Sequence, residues 1–147
     1  MPNDLGPKIT IERLGPGAEA RVILAAQLFD HPPEESWVRR FLSDPTHHLL
    51  IAYADGRPVE FVSGVEMTHP DKGTEMFVYE LGVAPEWRRK GIAKALLLEL
   101  VEIAKEQGCY DMWVLTYSDN AAATASYTSA GATRESAHVL FEWKFER

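Results

Sequence analysis

The chain is poor in cysteine and in long apolar runs, and each shortage excludes a class of protein. The single cysteine, Cys109, excludes an internal disulfide framework and fits a reducing cytoplasm. Because no run of about 18 apolar residues occurs, the sequence predicts no membrane span. Residues 1–8 also lack the apolar core of a signal peptide. We therefore expect a cytoplasmic protein.

Surplus positive charge is also missing, since the net charge is −7. This balance opposes binding to nucleic acid, because duplex phosphates require a basic surface. An acidic field concentrates cations, so the same charge is compatible with a cationic substrate. A role in solubility alone explains it equally well.

Groups of metal-ligating residues are absent as well. His47 and His48 are adjacent, so on a strand their side chains would face opposite ways and could not easily share one metal. Cys109 has no activating partner nearby in the sequence, which favours a packed thiol over a nucleophile. The sequence predicts no metal site.

The 147 residues are sufficient for one domain, and no linker or repeat divides them, so we expect a single domain over residues 1–147. Hydrophobic periodicity predicts the order β-α-α-β-β-β-α-β-α-β, typical of an α+β or mixed α/β protein. Helices are predicted over residues 18–29, 34–42, 91–107 and 120–130. Strands are predicted over residues 9–12, 48–54, 59–67, 75–83, 111–117 and 139–146.

Alternation within two of these strands predicts which side chains they bury. In the strand over residues 59–67, we expect Glu60 and Glu66 on the polar face, opposite Val59 and Phe61. The strand over residues 75–83 is apolar on both faces, which is typical of a central strand.

A basic loop containing glycine, Arg88-Arg89-Lys90-Gly91-Ile92-Ala93, joins this central strand to the longest predicted helix. The first turn of a helix has free N–H groups that bind phosphate, and a glycine allows the phosphate to approach the backbone. The loop matches neither the dinucleotide-binding nor the P-loop pattern. It predicts a phosphate-bearing cofactor, although a plain basic turn before an amphipathic helix has the same composition.

With its preceding strand, this loop resembles the central motif of the GNAT superfamily of acyl-CoA-dependent N-acyltransferases, over residues 76–98. The resemblance implies a mostly antiparallel central sheet flanked by helices, and acetyl-CoA as co-substrate. It implies that main-chain groups of Leu81 and Val83 bind pantetheine. It also implies that Arg88 through Ala93, with Lys94, bind the pyrophosphate.

Acetyl transfer to an amine requires a base for the amine, a donor for the oxyanion and an acid for the leaving thiolate. Within Asn120-x-x-Ala123-x-x-x-Tyr127, the resemblance implies that Tyr127 is the general acid and that Asn120 and Ala123 lie at the pantetheine. Tyr127 could instead pack in the core, and Asn120 could simply cap a helix.

Glu80 is the candidate base, because a carboxylate in an otherwise apolar strand is costly without a purpose or a partner. A strand bulge and a backbone N–H near Val83 would resemble the oxyanion site of the family. A structural ion pair is the alternative explanation for Glu80.

Among GNAT proteins, the chain resembles the small aminoglycoside 3-N-acetyltransferases. The shared segments are Tyr79-Glu80-Leu81, the basic loop, Ala125-x-Tyr127-Thr128-x-x-Gly131 and Arg134-Glu135. The resemblance implies an antibiotic-resistance enzyme that acetylates a small cationic amine. The loop before Tyr127 departs from that family, since it has one aspartate instead of several.

Acidic side chains are the candidate walls of an acceptor site for such a cation: Asp30, Glu34, Glu35, Asp119 and Glu142. Other acceptors remain open, namely a polyamine, an amino acid or a protein N-terminus. A non-catalytic coenzyme A-binding domain is a further alternative.

The segment after the last predicted helix is short, with 16 residues following Gly131. A long final hairpin would not fit, so we expect an unfilled strand edge and pocket wall. A second subunit could supply both, and the sequence therefore predicts a homodimer.

Overall fold

The computed structural model of the protein describes residues 6–147, so the first five residues of the expected domain lie outside the described part. Five strands form one sheet in the order β1-β2-β3-β4-β5. Strands β1 to β4 are antiparallel, and β5 is parallel to β4. The strands are β1 (Ile9–Leu14), β2 (His47–Ala54), β3 (Arg57–His69), β4 (Gly73–Val83) and β5 (Asp111–Trp113).

Four α-helices and two short 3₁₀ turns accompany the sheet. The helices are α1 (Glu19–Leu24), α2 (Glu35–Ser43), α3 (Ile92–Glu106) and α4 (Ala121–Ser129). The 3₁₀ turns are Ala26–Leu28 and Pro85–Trp87. This mixed, mostly antiparallel sheet with helices confirms the predicted α+β class.

Helices cover the two faces of the sheet in separate layers. Helix α3 packs on one face, called here the α3 face, where Leu96 and Leu100 are fully buried against β2, β3 and β4. Helices α1 and α2 and the turn Ala26–Leu28 pack on the other, the α1–α2 face, around Phe61. Full burial of each such side chain contributes roughly 1.5–3 kcal/mol.

The prediction that Glu60 and Glu66 lie on a polar face is wrong. The pairing of Ala52 with Glu60 and of Tyr53 with Pro58 leaves Val59 as a bulge in β3. After it, the even-numbered residues of β3 point to the α3 face. Glu60 is 2% exposed there, without a hydrogen-bond partner among the described residues.

Glu66, on the same face, has a partner. Its carboxylate lies 2.6 Å from Nε2 of His48, which is 1% exposed. Nδ1 of His48 lies 2.8 Å from the Arg13 guanidinium. Because arginine only donates hydrogen bonds, Nδ1 accepts and Nε2–H donates to Glu66. The three residues join β1, β2 and β3.

The C-terminal third contains less regular structure than predicted. Strand β5 ends at Trp113, although a strand was predicted over residues 111–117. The strand predicted over residues 139–146 is absent: in the described chain this segment pairs with no strand, and all of it is exposed. The helix predicted over residues 18–29 is also divided into α1 and the turn Ala26–Leu28.

Candidate functional site

Strands β4 and β5 pair at one end and separate at the other. Their contact is limited to three register pairs, which end at Phe77 with Trp113. Strand β4 continues to Val83, so residues 78–83 have β3 on one side and no paired strand on the other. Main-chain N–H and C=O groups along this edge, including those of Leu81 and Val83, are available to an extended ligand.

A β-bulge lies at the start of this open edge. Gly64 pairs with Val78 and Ser63 with Glu80, which leaves Tyr79 unpaired. The bulge was expected near Val83 and lies four residues earlier. It directs Glu80 to the α1–α2 face, while Leu81 packs on the core of the α3 face.

Glu80 meets the loop that follows the turn Ala26–Leu28. The backbone N–H of Asp30 donates to Oε2 of Glu80 at 3.4 Å. Burial raises the pKa of Glu80, while the N–H of Asp30 and nearby His31 oppose the rise. The carboxylate is therefore a stronger base than an exposed glutamate. The structure brings together two predicted residues, Glu80 and Asp30.

Gly82 allows this loop to lie against β4. A Cβ at this position would come within 2.2 Å of the Leu28 carbonyl oxygen and 2.4 Å of the Phe61 ring. Phe29, the next residue, stacks on Phe61 with ring centroids 4.2 Å apart. Close backbone approach at a side-chain-free residue thus fixes Asp30 beside Glu80.

The basic loop has the geometry of an anion cradle. Arg89 has a φ of 61° and Gly91, the N-cap of α3, a φ of 78°. Left-handed residues of this kind direct successive N–H groups into one concavity. No side chain caps α3 and no acidic residue lies in its first turn, so the N–H groups of Ile92, Ala93 and Lys94 are uncapped.

The side chains of the loop are free to contact an anion. Arg88, Arg89 and Lys90 are exposed, and none of them forms an ion pair within residues 6–147. Lys90 lies over the ring of Trp87, 5.7 Å from its centroid. Concentrated positive charge at an uncapped helix N-terminus is suited to a phosphate group.

Tyr127 lies on α4 and packs at the edge of the core on the α3 face. Burial raises the pKa of its phenol, which keeps the hydroxyl protonated and able to donate. Asn120 caps α4 by accepting a hydrogen bond from Ala123 N–H at 3.0 Å, the capping role allowed for it in the sequence.

Glu80 and Tyr127 therefore lie toward opposite faces of the sheet. Glu80 is on the α1–α2 face at the open edge of β4, and Tyr127 packs against the core of the α3 face.

Sequence reasoning missed an aromatic cluster beside Glu80. The Phe77 ring lies 4.6 Å from that of Trp113 and 5.9 Å from that of Tyr79, measured between centroids. Tyr79 is 70% exposed. The bulge and the parallel β4–β5 pairing bring these rings together, and neither is visible as a local pattern.

The other predicted acidic walls remain apart from this cluster. Glu34 and Glu35 are exposed at the start of α2, where Glu35 pairs with Arg39 at 2.7 Å. Asp119 is exposed in the loop before α4, and Glu142 is exposed without the strand predicted to hold it.

Residues 6–147 contain no group of three or more His, Cys, Asp and Glu that could hold a metal ion. In the same part, no helix is long and apolar enough to cross a membrane.

The comparison with protein families gives a match that covers most of the chain. The model of the Acetyltransferase (GNAT) family matches residues 19–132, from α1 to the end of α4. The matched region includes the open edge of β4, the basic loop and Tyr127.

Curated relatives match over much of the chain. Mycothiol acetyltransferase of Pseudarthrobacter chlorophenolicus is 33% identical over 129 residues, which cover 85% of this chain and 36% of that protein. N-alpha-acetyltransferase RimI of Mycobacterium tuberculosis is 33% identical over 113 residues, covering 76% and 69%. The chain spans less than half the length of the mycothiol acetyltransferases that it matches.

A solved structure shares the fold. The aminoglycoside N-acetyltransferase AAC(6')-Iy, solved with the bisubstrate analogue CoA-S-monomethyl-acetylneamine, aligns with a TM-score of 0.79 and 21% identity. The alignment covers 93% of this chain and 98% of that one.

Proposed function

Since this chain belongs to the Acetyltransferase (GNAT) family, we propose that it is an acetyl-CoA-dependent N-acetyltransferase of a primary amine. The observation that carries the proposal is the unpaired edge of β4 over residues 78–83, which leads along the chain to the uncapped N-terminus of α3. The thin pantetheine arm of acetyl-CoA fits along the open edge of β4, and its phosphate groups fit the basic loop that follows this strand.

In the proposed complex, residues of this chain hold the pantetheine arm and the pyrophosphate of acetyl-CoA. The main chain of Leu81 and Val83 receives the amides of the pantetheine arm. Arg88, Arg89 and the N–H groups of the first turn of α3 receive the pyrophosphate, with Lys90 and Lys94 adding charge. Ala123, beside the Asn120 cap, lines the arm without obstructing it.

The transfer is direct, without an acyl-enzyme. Glu80, alone or through a water, accepts a proton as the amine nitrogen attacks the thioester carbonyl, and a β4 N–H near Val83 stabilises the oxyanion. The C–S bond then breaks, and the Tyr127 hydroxyl protonates the leaving thiolate. Burial of both residues brings the carboxyl toward a basic pKa and keeps the phenol protonated.

The proposed acceptor is a small cationic amine, and an aminoglycoside is the leading class. The rings of Phe77, Tyr79 and Trp113 offer a platform beside the carboxylates of Glu80 and Asp30. A cationic amino sugar matches both, since cations are attracted to aromatic faces and to acidic groups. Acetylation at the 3-N position remains a prediction.

The amine of a protein N-terminus is the second candidate acceptor. A 33% identical relative is an N-alpha-acetyltransferase of which the matched region covers 69%. An extended peptide could approach along the exposed aromatic face, where Leu115 and Tyr117 continue beyond Trp113. Polyamines and amino acids remain further alternatives.

A thiol-release assay with acetyl-CoA over aminoglycosides, polyamines, amino acids and peptides tests the acceptor. We expect turnover with an aminoglycoside. Release with peptides alone would overturn the aminoglycoside proposal, and no release with any amine would overturn the enzyme proposal.

Tyr127→Phe and Glu80→Gln test the two roles. Each change is expected to lower kcat about 10²-fold or more, since general acid–base groups typically contribute 10²–10⁴-fold. Binding of coenzyme A, measured by calorimetry, should stay within about threefold, because neither side chain belongs to the anion cradle. Tyr110→Phe and Glu99→Gln, which alter exposed residues, are the matched controls. A protein with coenzyme A binding but no turnover to lose would be a binding domain instead.

A further inference from the structure

Glu60 is a buried carboxylate that the proposed acetyl transfer does not use. It lies on β3, 2% exposed, opposite Ala52 of β2 and Val83 of β4. Burial alone raises the pKa of Glu60 to about 7, without a contribution from a hydrogen bond or a neighbouring charge among the described residues. The carboxyl therefore changes its charge near neutral pH, where an exposed glutamate is fully ionised.

The register of β3 places Glu60 beneath the first turn of α3. A Cβ at Gly64 would lie 3.0 Å from the Leu100 side chain. Glu60 precedes Gly64 by four residues of strand, about 13 Å, and Ile92 precedes Leu100 by eight residues of helix, about 12 Å. Both segments run away from the end of β4, because Glu60 pairs with Val83 and α3 follows that strand. Glu60 is therefore on the core side of the anion cradle.

The surroundings of Glu60 on this face are apolar. The adjacent strands and α3 contribute hydrophobic side chains of one core cluster: Ala52, Ala54, Val62, Leu81, Ile92 and Leu96. Other titratable groups on the α3 face do not shift the pKa of Glu60: Arg13, His48, Glu66, Cys109 and Tyr127. Charged side chains at the start of α3 and in the turn before it are exposed to solvent: Glu86, Arg88, Arg89, Lys90 and Lys94. Once ionised, Glu60 thus places an uncompensated negative charge beneath the helix start.

We propose that Glu60 links the binding of acetyl-CoA to a proton: the protein binds the pyrophosphate more tightly when this buried carboxyl is neutral than when it is ionised. The inference rests on the proposed function, since it requires the pyrophosphate at the first turn of α3. Two negative charges on either side of one helical turn repel strongly when the space between them is apolar core. The proton comes from solvent and is held on a carboxyl oxygen of Glu60.

A bound anion raises the proton affinity of Glu60. Well below its pKa of about 7 in the free protein, the carboxyl is neutral with or without the donor, so it does not affect binding. Above that value the free protein is ionised at Glu60 and must take up a proton to bind. Donor affinity therefore falls as the pH rises through 7, tenfold for each unit by which the anion raises the pKa.

Calorimetric titration of the full chain with coenzyme A at pH 6 and pH 8.5 tests this link. The ratio of the Kd of the unchanged protein to that of Glu60→Gln should rise at least about threefold between the two pH values. The phosphates of coenzyme A titrate in the same way with both proteins, so the ratio reports Glu60 alone. Glu60→Met, which also lacks the charge, should behave like Glu60→Gln. At pH 7.5, titrations in two buffers of different ionisation enthalpy should show greater proton uptake by the unchanged protein.

Glu86→Gln is the matched control, because it removes an exposed carboxylate beside the same loop. Its Kd should depend on pH as that of the unchanged protein does. An equal pH dependence in the unchanged protein and both Glu60 variants would overturn the inference and leave the proposed function intact. A ratio that falls as the pH rises would overturn it as well. If the unchanged protein bound no coenzyme A at either pH, the proposed function itself would be overturned.

Discussion

The first hundred residues and the last forty differ in how much they bury. In the described chain, all buried side chains lie from Leu14 to Ala104, and none lies in residues 108–147. The first part contains Glu80 and the basic loop, and the second contains Tyr127. The residues of the proposed donor site therefore rest on a self-contained core, whereas Tyr127 lies on a helix that packs only at the edge of that core.

This difference predicts where the same kind of substitution is costly. A change within the first part must disturb a close-packed interior, which cannot easily rearrange to accommodate it. A change in the second part meets solvent and should cost less stability than a matched change in the first. Three matched comparisons, one of them across pH, examine this contrast.

Gly82→Ala should have the largest effect. Its Cβ would overlap the backbone oxygen of Leu28 and the Phe61 ring, so we expect a loss of about 4 kcal/mol of unfolding free energy in denaturant titrations. Gly131→Ala, in the second part, meets no atom within 4 Å and bears only the cost of a φ of 97°, about 1–2 kcal/mol. Equal losses at the two positions would remove the contrast.

His48→Ala should come next, at about 3 kcal/mol, because it leaves the Glu66 carboxylate and the Arg13 guanidinium without their shared partner. His138→Ala breaks an exposed pair with Glu135 and should change stability by less than about 0.5 kcal/mol. Thermal unfolding of both variants measures the two changes in stability. A neutral His48→Ala variant would show that the network contributes nothing.

Glu60→Gln should have the smallest effect and the opposite sign. Burial raises the pKa of Glu60 from its ordinary value of 4.5 to about 7 in the folded protein. Between these values the unfolded chain releases a proton that the folded protein retains, so the unfolding free energy falls as pH rises, and the penalty is complete above 7. Glutamine removes that penalty.

We therefore expect Glu60→Gln to stabilise the protein by about 2 kcal/mol at pH 8 and to have little effect at pH 5. Denaturant titrations at the two pH values measure it, with Glu146→Gln, an exposed position in the second part, as the matched control. The same gain at both pH values would contradict the assigned cause.

The form of the basic loop and the unusual position of Glu80 could be predicted because their signals are local. The arrangement of Arg88 to Ala93 follows from a glycine, a basic run and a helix start that are adjacent in sequence. Glu80 stands out because a carboxylate interrupts an apolar strand. Asp30 could be named as a candidate, although its contact with Glu80 depends on Gly82 and Phe29.

Other features could not be predicted because they depend on pairing between distant segments. A bulge at Val59 turns Glu60 inward, and simple alternation cannot place a bulge. The strand pattern of residues 139–146 was recognised, yet alternation alone does not determine whether a segment pairs with an edge of the sheet. The Phe77–Trp113 contact likewise depends on a parallel register between β4 and β5.

The gap between β4 and β5, beyond their three register pairs, also limits which ligands can enter it. It is closed at the Phe77–Trp113 end, so a guest can enter only from the open end and can use the edge of β4 over residues 78–83. A strand inserted between β4 and β5 would need to lie about 4.8 Å from each of them. At their paired end, β4 and β5 are themselves only one such spacing apart, so no strand fits between them there. The β4–β5 pairing that leaves this edge of β4 open would therefore also keep a second strand from pairing with it, although its main-chain groups are unpaired.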